Sequence, residues 1–114
     1  MAATLVEVSR EELWEKLQRG DPLVLVDARA PMSHAASRLP GAINIPVELV
    51  DERAPEALPD QDAAIAVYCG NTTCDASVVV AKRLVELGYR NVVHYDGGRD
   101  DWGEAGLPLE GGRV

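Results

Sequence analysis

Two cysteines, Cys69 and Cys74, are the residues of this chain best suited to nucleophilic chemistry, and they share one short segment, Cys69-Gly70-Asn71-Thr72-Thr73-Cys74-Asp75-Ala76-Ser77. A cysteine reacts as its thiolate, so its surroundings decide whether it is a nucleophile or a small buried hydrophobe. An apolar run, Ala63–Tyr68, leads directly into Cys69, and an apolar helical pattern begins at Ala76. A loop joining a buried strand to a helix can turn its backbone N–H groups toward one centre. The helix N-terminus adds roughly half a positive charge there. Gly70, Asn71, Thr72, Thr73, Asp75 and Ala76 are therefore a candidate cradle for an anionic sulfur on Cys69. Position alone leaves the catalytic and the inert reading of Cys69 open. For Cys74 three readings stand: a structural loop residue, a resolving thiol that attacks oxidised or persulfidated Cys69, or the nucleophile itself.

Other chemistries are disfavoured. A Cys-x5-Arg phosphate site needs Arg six residues after the cysteine, but Asp75 and Val80 stand there. Cys69, Cys74, His34 and His94 are the whole Cys/His supply, and their spacing fits no standard zinc site. There is no Cys-x-x-Cys motif, and Gly97-Gly98 is too short a signal for a phosphate loop. No metal and no cofactor is expected.

The elements that must position these residues alternate along the chain. Thr4–Val8 reads as a first strand. Ser9 and Glu12 have capping-box spacing at the head of a helix over Arg10–Arg19, ended by Gly20. Pro22–Val26 has the continuous apolar character of a strand buried on both faces, and it stops at Asp27. Ala28–Arg38 reads as loop with a helical turn, Ile43–Ile45 as a short strand, and Val47–Val50 as the start of a helix. Asp51–Asp62, acidic and broken by two prolines, reads as an exposed connection. Strand Ala63–Tyr68 and helix Ala76–Leu87 follow, with Gly88 at the helix end. Strand Asn91–Tyr95 and a last short helix around Trp102 complete the series. Trp14 and Trp102 read as core anchors. This order predicts an α/β domain with a mainly parallel sheet and helices on both faces. Ligands in such folds gather beyond the carboxyl ends of the strands, where Asp27, Cys69 and Gly97-Gly98 all fall.

With 114 residues the chain has room for one core, so residues 1–114 are read as a single domain. Its 46% apolar and 26% charged content is ordinary for globular chains and argues against wholesale disorder. The net charge of −8 disfavours nucleic acid and anionic membrane as partners. No apolar run approaches the ~20 residues of a membrane span. Met1–Val8 lacks a basic segment followed by an apolar one, so a cytoplasmic location is expected.

Five segments, in order along 24–102, resemble the rhodanese-like sulfurtransferases. They are Val24-Leu-Val-Asp-Ala-Arg29, Leu39-Pro-Gly-Ala-Ile-Asn-Ile-Pro46, Tyr68-Cys69, Gly88-Tyr89-x-Asn91-Val92 and Asp96-Gly97-Gly98-x-x-x-Trp102. The resemblance implies a five-stranded, mainly parallel sheet and covalent sulfur transfer. Cys69 would take the outer sulfur of a small donor such as thiosulfate as a persulfide. A thiophilic acceptor, either cyanide, a thiol or a sulfur-relay protein, would then remove it. The other class of function is a non-catalytic rhodanese-like module that binds a partner or reports redox state.

The Cys-x4-Cys loop marks a subgroup. It is longer than the usual spacing and has Asp75 instead of the basic residue of many thiosulfate-using members. An acidic loop on an acidic protein disfavours a dianion. Arg29, Arg38 and Arg99 compensate if they face the pocket, although Arg29 has a rival role in pairing with Asp27. His34 reads as a surface or half-buried residue.

Overall fold

The computed structural model describes residues 5–111. Strand β1 (Val6–Glu7) precedes helix α1 (Arg10–Arg19). The capping box forms as its spacing requires: Ser9 Oγ accepts from the Glu12 N–H at 3.1 Å, and the Ser9 N–H donates to Glu12 Oε1 at 3.2 Å. Strand β2 (Val24–Asp27), helix α2 (Pro31–Ala36) and strand β3 (Ile43–Asn44) follow. Thr4, the first residue of the expected strand, lies outside the described residues.

A 3-10 turn, Val47–Leu49, runs into helix α3 (Val50–Ala57). This corrects the reading of Asp51–Asp62 as an exposed connection. Val50, Ala54 and Leu58 recur at helical spacing and are buried. Tyr89 Oη donates to the carbonyls of Ala54 and Leu58, at 3.0 and 2.6 Å, and so anchors the end of the helix. Pro55 lies inside this helix and removes one backbone N–H donor from it. Strand β4 (Ala64–Tyr68), helix α4 (Ala76–Glu86), strand β5 (Asn91–Tyr95) and helix α5 (Gly98–Glu104) complete the order.

The five strands form one sheet in the order β1-β5-β4-β2-β3, and every pairing is parallel. Alternation along the strands sends side chains to two apolar layers. Val26, Ile65, Val67 and Val92 meet Val50 and Ala54 of α3 and Val80, Ala81 and Leu84 of α4. Leu25, Ala66, Tyr68 and Tyr95 meet Leu13 of α1 and Trp102 of α5. Trp102 is fully buried and stands edge-on to Trp14 and Tyr95. No helix among the described residues is long and apolar enough to cross a membrane.

Candidate active site

β2 and β4 are neighbours, yet the chain leaves them in opposite directions: β2 leads to β3 on one side, β4 to β5 on the other. Such a reversal opens a crevice beyond the carboxyl ends of the two strands. Asp27 and Tyr68, their last residues, lie in register across the pair. The segments beyond them, with the chain after β3, line a recess of about 380 Å³. Its walls include Arg29, Pro46, Val47, Glu48, Cys69 and Cys74.

Cys69 leaves β4 almost fully buried, and it forms a disulfide with Cys74 across a Cα–Cα distance of 6.2 Å. Asn71 organises the loop between them. Its Oδ1 accepts from the N–H and hydroxyl of Thr73, at 3.0 and 2.6 Å, and its carbonyl accepts from the Cys74 N–H at 3.2 Å. Thr73 therefore does not belong to the cradle, because its amide is consumed inside the loop. The N–H groups of Gly70, Asn71, Thr72, Asp75 and Ala76 have no acceptor among the described residues. Asp75 precedes α4 without capping it by its side chain, so the helix N-terminus stays open toward the loop.

Below the loop, Asp27 is fully buried and holds several donors. Oδ1 accepts from the Arg29 backbone N–H and Nε, at 2.9 and 3.0 Å. Oδ2 accepts from Arg29 Nη2 at 2.8 Å and from the Tyr68 hydroxyl at 3.2 Å, and lies 3.0 Å from His34 Nδ1. Burial pushes the Asp27 carboxyl up, but the hydrogen bonds of Arg29 and His34 and the Arg29 charge outweigh it and hold it below its usual range. Burial first, and then the Asp27 charge, push the Tyr68 phenol up, so it stays protonated and donates. Its oxygen in turn accepts from the Leu39 N–H at 3.1 Å.

Arg29 thus braces the loop after β2, and its charge is spent on Asp27. Arg38 and Arg99 do not line the recess. Arg38 donates to the His34 carbonyl, and Arg99 Nε donates to Ser37 Oγ at 2.7 Å. Of the three arginines expected to face the pocket, only Arg29 lines it, and nearer acceptors take all three. The recess therefore carries Glu48 and no uncommitted cation among its lining residues.

Gly98, at the start of α5, packs against the base of the loop. The N–H groups after it, of Arg99 and Asp100, donate to the carbonyls of Cys69 and Gly70 at 2.9 Å each. Its φ is 72°, and a Cβ there would lie 2.6 Å from the Cys69 oxygen. Only glycine fits both the conformation and the approach.

One arrangement has no counterpart in the sequence reading. Ser77 Oγ lies 2.8 Å from His94 Nε2, and His94 Nδ1 lies 3.0 Å from Glu7 Oε2. Ser77 and His94 are buried. A carboxylate only accepts, so Nδ1 donates to Glu7, and Nε2 pairs with the serine hydroxyl. The first turn of α4 is thereby fixed to β5. Residues 7, 77 and 94 are far apart in sequence, and no local pattern signals their meeting. A second recess of about 410 Å³ opens at the amino ends of β4 and β5 and holds neither cysteine.

The rhodanese-like domain model matches residues 9–105. The thiosulfate sulfurtransferase GlpE of Haemophilus influenzae is 36% identical over 104 residues, covering 91% of this chain and 93% of that protein. The HTH-type transcriptional regulator Rv0324 of Mycobacterium tuberculosis is 34% identical over 105 residues, covering 92% of this chain but 45% of the regulator. The solved human single-domain sulfurtransferase TSTD1 aligns with a TM-score of 0.78 at 26% identity, over 89% of this chain and 97% of that one.

Proposed function

The chain belongs to the rhodanese-like domain family, and from that premise we propose that it is a sulfurtransferase whose reduced Cys69 carries sulfane sulfur as a persulfide. The observation that carries this reading is the position of Cys69: at the carboxyl end of β4, in the crevice between diverging strands, beneath loop amides that have no acceptor among the described residues. The Cys69 thiolate attacks the outer sulfur of the donor, and the rest of the donor leaves with the electron pair of the broken bond. The free amides of Gly70, Asn71, Thr72, Asp75 and Ala76, with the N-terminus of α4, stabilise the anionic persulfide. An external thiol or cyanide then takes the sulfur. A small sulfur donor and a thiophilic acceptor are the proposed partners, with a sulfur-relay protein as a further acceptor. The name of the 36%-identical relative makes thiosulfate the first donor to try.

The disulfide must be reduced before any assay, since a disulfide-bonded Cys69 has no thiolate to offer. Reduced protein treated with thiosulfate, with Cys74 held as Cys74→Ser, is expected to gain one sulfur atom by intact mass and to lose it to cyanide as thiocyanate. Cys69→Ser is expected to gain none. Sulfur uptake by Cys69→Ser would move the nucleophile elsewhere, and no uptake from thiosulfate or a small persulfide by any form would refute the enzyme reading. The second reading, a redox-reporting module, is favoured by the disulfide itself. It predicts a reversible thiol–disulfide transition with no sulfur uptake.

A further inference from the structure

The disulfide joins the proposed sulfur carrier to a second cysteine in the same loop, which the sulfurtransferase reading does not use. We infer that Cys74 is a resolving thiol that expels the sulfur held on Cys69 as hydrosulfide, so that with a dithiol reductant the domain turns sulfane sulfur into sulfide. This rests on the proposed sulfurtransferase reading.

Three observations carry it. The two sulfurs reach bonding contact within the fold as it stands. The loop does so without strained backbone, since none of residues 69–75 has a positive φ. Both cysteines also line the recess through which a donor must reach Cys69. A persulfide formed there faces a thiol of its own loop before it meets any dissolved acceptor. An intramolecular thiol so placed outcompetes a dilute external one.

The steps balance. The Cys69 thiolate attacks the outer sulfur of thiosulfate, the S–S bond breaks, and sulfite leaves with the electron pair. The Cys74 thiolate then attacks Sγ of Cys69. The bond from Sγ to the transferred sulfur breaks, and that sulfur leaves with the pair and one proton as hydrosulfide. The Cys69–Cys74 disulfide forms. The two thiols have given up two electrons, and the sulfane sulfur has gained them. An external dithiol is oxidised to its own disulfide and restores both thiols.

The test is a single turnover with fully reduced protein, freed of reductant under anaerobic conditions and mixed with thiosulfate. Sulfite, sulfide and the intact mass after alkylation are read together. Wild type is expected to release one sulfite and one sulfide per chain and to end lighter by two hydrogens, with neither cysteine alkylated. Cys74→Ser is expected to release sulfite, keep the added sulfur and release no sulfide, which also shows that the variant is folded and competent. Wild type that releases sulfite but keeps the sulfur overturns this inference and leaves the sulfurtransferase reading intact. Sulfur retained on Cys74 makes it a relay and also overturns the inference. No sulfite from thiosulfate, together with no sulfur uptake from a small persulfide by either form, overturns both.

Discussion

Asp27 shows how one buried residue holds the crevice together. Its two oxygens meet Arg29 by side chain and backbone, the Tyr68 hydroxyl and the His34 ring. Asp27→Asn leaves the Arg29 charge, itself largely buried, without its counter-ion. Breaking such a pair costs about 3–5 kcal/mol, so the variant's urea midpoint at neutral pH is expected to fall accordingly. The pH dependence has a definite sign. Because the folded carboxyl is held below its usual range, its contribution is present above the unfolded value of about 3.9. It is lost as pH falls through the lower folded value. The gap between wild type and Asp27→Asn should therefore narrow below about pH 4, and a constant gap down to the acid transition counts against the assignment. The pairing of Asp27 with Arg29 was legible in the sequence, two residues apart at a strand end. The contacts with His34 and Tyr68 were not, because they span 7 and 41 residues.

At the scale of elements, the active loop is held from both ends. Ser77 ties the start of α4 to His94 of β5, and the start of α5 closes on the carbonyls of Cys69 and Gly70. Gly98→Ala tests the second contact. A left-handed alanine costs roughly 1–2 kcal/mol, and its Cβ would also press on the Cys69 carbonyl. A loss of stability beyond that conformational cost is expected, with slower sulfur uptake by Cys69. Uptake at the wild-type rate would mean that the position of α5 does not matter to the loop. Most elements were readable from periodicity and caps. The start of helix α3 at Val47–Val50 was readable too, but its extent was not, because its acidic residues and Pro55 masked the buried spacing of Val50, Ala54 and Leu58. Local composition registers the exposed face of such a helix, whereas the apolar layer decides the fold.

At the scale of the whole molecule, the net charge of −8 surrounds a recess whose one arginine is already paired. A dianionic donor is repelled on approach, and salt screens that repulsion, with a Debye length of about 8 Å at physiological ionic strength. The kcat/KM for thiosulfate is therefore expected to rise as salt is added from low ionic strength, and a falling profile would point to a cationic approach path. The order of strands and helices, the apolar layers and the position of Cys69 at a strand end were determined by the sequence alone, since periodicity and chain order carry them. Three matters were decided only in three dimensions: which arginines are free, which loop amides remain open, and whether Cys69 and Cys74 touch. Each depends on which groups from distant segments compete for the same partner. For the cysteine at the centre of the site, that competition leaves another thiol within bonding reach and no free cation among the described residues that line the recess.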